Sequence, residues 1–132
     1  MMNNMAFTAL ACALLTLGCN REEDWNRDIE EIAHVAVDSV RIPTDTIALG
    51  SGVSINTYSR LQRGCESFYK FDYSSDGSFV REISAYKLKN KSTCGLPGVV
   101  ATDFAFFPKT RGIYTLKFRS KDGWITKPLV VN

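Results

Sequence analysis

The sequence predicts an all-β fold, a two-sheet antiparallel sandwich of about seven strands, and three observations carry that expectation. From Val35 onward, short β-branched and aromatic runs place apolar residues at every second position, the period of a half-buried strand. Glycine, proline and Asp-Gly pairs interrupt those runs at short intervals, as in an all-β chain. The runs are also too short to enclose the cavity of an eight-stranded ligand barrel, which leaves two packed sheets as the economical solution.

Taken in order, residues 35–42 form a first strand whose apolar alternation changes phase near Asp38-Ser39, as a bulge would cause, and Pro43 ends it. Residues 46–49 continue briefly, Gly50-Ser51-Gly52 turns the chain, and Val53, Ile55 and Thr57 alternate on the next strand. The run from Cys65 to Tyr73 puts Tyr69, Phe71 and Tyr73 on one face and Phe68, Lys70 and Asp72 on the other. Asp76-Gly77 suits a two-residue type I′ hairpin turn, in which both central residues need positive φ. Its partner strand, residues 79–88, is apolar on both faces in part and is expected near a sheet edge or crossing between sheets. Val100, Thr102, Phe104 and Phe106 alternate after a loop at 89–98, and Pro108 closes that strand. Tyr114, Leu116 and Phe118 alternate on the penultimate strand, Asp122-Gly123 makes a second hairpin turn, and residues 124–131 form the last strand.

Ahead of this domain, residues 6–17 are an uncharged apolar run followed by Gly18, Cys19 and an abruptly polar segment. A membrane-spanning helix needs about 20 apolar residues, so this shorter run reads as the hydrophobic region of a signal peptide. A signal cleaved elsewhere, or a short apolar helix, are the other readings of the same residues. Leu15-Thr16-Leu17-Gly18-Cys19 resembles the lipobox of bacterial lipoproteins, with Thr16 where the family usually has Leu. The resemblance implies acylation of Cys19 and cleavage before it, which divides the chain into a signal peptide at 1–18, a lipidated tether at 19–34 and a domain at 35–132. The membrane is then a partner through the N-terminal lipid alone.

Charge is distributed unevenly. The tether from Asn20 to Glu31 holds six acids against Arg21 and Arg27, and the rest of the chain holds fourteen bases against eight acids, within a net charge of +2. Acids directly after the acylated cysteine, Asn20-Arg21-Glu22-Glu23-Asp24, resemble the export signal of Bacteroidetes lipoproteins displayed on the outer face of the outer membrane. A solvated spacer explains the same acids by composition. Trp25, Ile29 and Ile32 have the spacing of one short helix in the tether.

Four cysteines follow from this layout: Cys12 leaves with the signal peptide, Cys19 carries lipid, and Cys65 and Cys94 remain to pair in an oxidising compartment. A metal or catalytic pair is the competing reading; it lacks CxxC spacing and a nearby histidine.

The segment from Pro108 through Gly112, Tyr114, Leu116 and Phe118 resembles the Pro, Gly, x, Tyr, x, Leu, x, Phe pattern that opens the penultimate strand of immunoglobulin-like domains. The resemblance implies an immunoglobulin-like sandwich in which the Tyr114 hydroxyl bonds to backbone upstream, a tyrosine corner. Neither Cys65 nor Cys94 lies on the Tyr114 strand, so antibody-type recognition does not carry over. In overall layout the chain resembles small Bacteroidetes outer-membrane lipoproteins.

Motifs for chemistry are missing from the sequence: there is no phosphate loop, HExxH, Gly-x-Ser-x-Gly elbow or spaced Cys and His set. The single histidine, His34, lies in the expected tether, so the domain has no histidine for a triad. A carboxylate pair is conceivable, for instance Asp72 with Glu82 across the hairpin, and these are more simply surface charges paired with Lys70 and Arg81. No catalytic residue, metal, cofactor or nucleic-acid partner is therefore expected. Lys87, Lys89 and Lys91, with Lys117, Arg119 and Lys121, are basic stretches able to meet an anionic glycan or to serve as solvated sheet faces. Trp124, Lys117 and Arg119 are the candidate ligand contacts. Ser39 and Thr46 sit in short motifs resembling Bacteroidetes O-glycosylation sites, and Asn90 opens a formal N-glycosylation sequon.

The expectation that results is a lipid-anchored, non-catalytic binding module on the outer membrane, facing outward, with a glycan or protein partner. The alternative is a periplasmic lipoprotein that inhibits an enzyme or assists envelope assembly through the loop at 89–98.

Overall fold

Nine strands account for most of the computed structural model, which describes residues 29–61, 65–91 and 97–132. They are β1 (Ile29–Val35), β2 (Val37–Arg41), β3 (Thr46–Ile47), β4 (Val53–Leu61), β5 (Glu66–Ser75), β6 (Val80–Asn90), β7 (Gly98–Phe106), β8 (Gly112–Arg119) and β9 (Trp124–Val131). Two sheets form the sandwich. The smaller has the order β2-β4-β7, and the larger runs β1-β6-β8-β9-β3 with β5 on the other side of β6.

Strict alternation builds the core. Along β8, Tyr114, Leu116 and Phe118 are buried while Ile113 and Arg119 are exposed. Leu129 and Val131 of β9, Ile83 and Ala85 of β6, Val53 and Ile55 of β4, and Phe106 of β7 meet them between the sheets. Each such large side chain contributes about 1.5–3 kcal/mol by leaving water. The buried Thr57 satisfies its hydroxyl by donating to the Thr102 carbonyl at 3.0 Å across the β4–β7 pair.

The strand expected at 35–42 is longer and divided. It begins at Ile29, pairs with β6 through Val35, then crosses at Ala36 to pair with β4 in the other sheet, with a register shift between Val37 and Ser39. The phase change read near Asp38-Ser39 is that shift. The helix expected over Trp25, Ile29 and Ile32 is not formed at its described end, since Ile29 and Ile32 lie in β1; Trp25, Cys19 and the signal segment lie outside the described residues. Ladder pairing with β6 outweighs the weak helical spacing of three residues. The sheet therefore begins six residues before the boundary expected at Val35.

Three further expectations are corrected. A register shift between Phe68 and Lys70 turns Phe68 inward beside Phe71, ring centroids 4.8 Å apart, so Phe68 does not share the outer face of Lys70 and Asp72. Strand β6 is central and not at an edge, with β5 on one side and β8 and β1 in succession on the other. Two pairings, β6–β8 and β3–β9, run parallel within an otherwise antiparallel arrangement.

Turn chemistry is also more extended than a two-residue hairpin. Residues 76–79 separate β5 from β6, with Gly77 at φ 89° and the Asp76 carboxylate accepting from the Ser78 backbone N–H at 2.9 Å. Residues 120–123 separate β8 from β9, closed by the Ser120 N–H donating to the Gly123 carbonyl at 2.9 Å. The corner at the start of β8 has the expected bond: the Tyr114 hydroxyl donates to the Thr110 carbonyl at 2.8 Å. Cys65, just before β5, is disulfide-bonded, and Cys94 lies outside the described residues.

Candidate binding face of the larger sheet

The outward positions of β6, β8 and β9 follow from the pairing registers. Lys117 stands beside Glu82 of β6 and Thr126 of β9, and Arg119 stands opposite Trp124. Alternation thus brings the three expected contacts, Trp124, Lys117 and Arg119, to one surface.

Their geometry is ordered by charge and ring contacts. The Lys117 ammonium lies 4.9 Å from the centroid of the Trp124 ring and 3.8 Å from a Glu82 carboxylate oxygen. Such a cation–π contact at a half-open site is worth about 0.5–1 kcal/mol and holds the indole against the sheet. Trp124 still exposes 40% of its surface. Arg119 is exposed and, among the described residues, has no ion pair.

The same face extends to a second group that the sequence did not connect to it. His34 of β1 stands opposite Tyr86 of β6, their rings edge to face at 5.8 Å. Its pKa is lowered from the ordinary imidazole value, first by burial and then by the positive charge of Arg119. The His34 Nε2 is buried without a hydrogen-bond partner among the described residues. Lys70 of β5 lies 5.8 Å from the Tyr86 ring centroid and 3.4 Å from Asp72. Sequence reasoning missed His34 and Tyr86 because β1 was read as tether, and only the β1–β6 register brings them beside Arg119.

The other candidates separate. Asp72 and Glu82 do not form a catalytic pair: Asp72 stands opposite Ser84, and each acid has its own lysine. Arg81, the expected partner of Glu82, alternates to the inner side, and Lys117 takes its place. Lys87 is likewise no free basic side chain, since it forms a 2.9 Å ion pair with Glu66, whose side chain is only 5% exposed. Lys89 pairs with Glu30 at 3.4 Å. Among the described residues no three His, Cys, Asp or Glu side chains are grouped to hold a metal ion.

Fold and surface together define a two-sheet β-sandwich whose larger sheet carries an aromatic and cationic outer face. Comparison with protein-family models, with curated proteins and with solved structures finds no match to this chain.

Proposed function

We propose that this protein is a lipid-anchored, non-catalytic binding module of the outer membrane, facing outward, whose larger sheet engages an anionic glycan. The observation that carries the reading is Arg119, a cation without an ion pair among the described residues, standing opposite an exposed Trp124 that Lys117 holds in place. An indole face suits the apolar face of a sugar ring, and a guanidinium beside it suits a carboxylate or phosphate substituent. Lipid anchoring and outward display rest on the residues around Cys19 and on the acids from Glu22 to Asp24.

The test has two parts. Protease treatment of intact cells bearing the tagged full chain should digest it; protection until lysis overturns outward display and favours the periplasmic inhibitor or assembly role. Binding to immobilised lipopolysaccharide should weaken about tenfold in Arg119→Glu and in Trp124→Ala, and should fall with added salt. Wild-type retention in both variants removes the glycan reading of this face.

A further inference from the structure

At the opposite end of β8 from Arg119, the sandwich opens into a cleft of about 240 Å³. Its walls come from both sheets and from the loop after β7: Tyr73, Arg81, Phe106, Phe107, Lys109 and Tyr114. Two features set it apart from an ordinary gap between strand ends.

The first is a fixed cation. Arg81 alternates inward from β6, and its guanidinium carbon lies 5.1 Å from the centroid of the Tyr114 ring. One terminal nitrogen, Nη1, donates to the backbone carbonyls of Ser78 and Val80, which fixes the plane of the group. The remaining guanidinium donors have no acceptor among the described residues, and Arg81 forms no ion pair there. Asp76 directs its carboxylate to the backbone N–H and hydroxyl of Ser78, and Arg81 acts on it through charge alone, without a direct ion pair. Lys109 adds a second positive charge to the lining, and no carboxylate faces it from the described walls.

The second is an exposed aromatic side chain seated on backbone at the cleft wall, Phe107, with Phe79 seated likewise behind Tyr114. Phe107 is 69% exposed, an unusual position for a phenylalanine, yet its ring occupies the space that a Cβ on Gly52 would need. Phe79 sits in the same way over Gly112 and meets Tyr114 edge to face at 5.1 Å. Glycine at 52 and 112 therefore seats two exposed rings against backbone.

We propose that this cleft is a second binding site, independent of the outer face, for a carboxylate carried on a single ring-sized body. The Arg81 fork and Lys109 receive the carboxylate, and Phe107 and Tyr73 cover the ring. A volume below the roughly 300–1,000 Å³ of drug-sized pockets is matched to one ring at a time. The location fits a receiving site: β6 spans about 33 Å at 3.3 Å per residue, the chain enters beside its Asn90 end, and the cleft lies at its Val80 end.

The test is a titration of the isotope-labelled full chain in detergent solution, followed by amide chemical shifts. Sodium glucuronate and sodium benzoate are the probes, with glucose and benzyl alcohol as neutral counterparts. Either acid should shift Arg81, Phe107 and Lys109, with its neutral counterpart at least tenfold weaker; the tighter acid identifies a sugar or an aryl body. Arg81→Gln should weaken binding about tenfold and the exposed Lys109→Gln about threefold, the latter keeping the test decisive if the former misfolds. Absence of shifts from both acids, equal binding of acid and neutral forms, or shifts confined to Trp124 and Arg119 overturns the proposal. Unchanged affinity in Lys109→Gln together with unchanged affinity in a folded Arg81→Gln does the same.

Discussion

At the scale of the residue, His34 couples the outer face to acidity. Burial and Arg119 both disfavour its protonated form in the folded protein, so the unfolded chain binds the proton more readily. Unfolding then takes up a proton below the unfolded imidazole pKa of about 6.5, and stability falls as pH drops through that value. Replacing His34 with Gln should flatten this part of the profile. Urea midpoints measured from pH 7.5 to 5 for both proteins test it, and parallel profiles would show that other groups govern the acid limb.

At the scale of the element, β8 is where sequence and structure agree most closely. Its alternation of Tyr114, Leu116 and Phe118 appears as three buried side chains, and the Pro108 to Gly112 approach delivers the Tyr114 hydroxyl to the Thr110 carbonyl. Tyr114→Phe removes one hydrogen bond without changing the ring, so it should cost about 0.5–1.5 kcal/mol and lower the urea midpoint with an unchanged slope. A midpoint equal to wild type would mean that the bond contributes nothing net. Elements such as β8 were legible because a period of two with one buried face has a single solution. Strand β1 was not, because Ile29-Glu30-Glu31-Ile32 has apolar residues three apart, and its pairing with residues 85–90 is a long-range event that no local pattern records. Phe68 was misplaced for a related reason: the register shift between Phe68 and Lys70 reverses the facing of the residues before it, and it is defined only against the neighbouring strand. The outer face was legible in part, since Lys117 and Arg119 share a parity with each other; His34 joined them only through the order of strands in the sheet.

At the scale of the whole molecule, the disulfide at Cys65 anchors the beginning of β5 where the Asn90 N–H donates to the Cys65 carbonyl. With Cys94 as the expected partner the bond closes a loop of about 30 residues, worth about 3 to 4 kcal/mol in the chain-entropy model. Cys65→Ser should therefore lower the melting temperature under oxidising conditions by many degrees and make it insensitive to reductant. A melting curve superimposable on oxidised wild type would show that the crosslink does not stabilise the domain.

The placement of the entering strand has a mechanical consequence. A pull applied between Ile29 and Arg81 would run along β1 and β6, whose six registered pairs from Ile29–Asn90 to Val35–Ala85 lie side by side along its line. That load shears the ladder, so its hydrogen bonds resist together and do not open one after another as in a zipper. A pull between these two tips would therefore meet the ladder in its stronger direction.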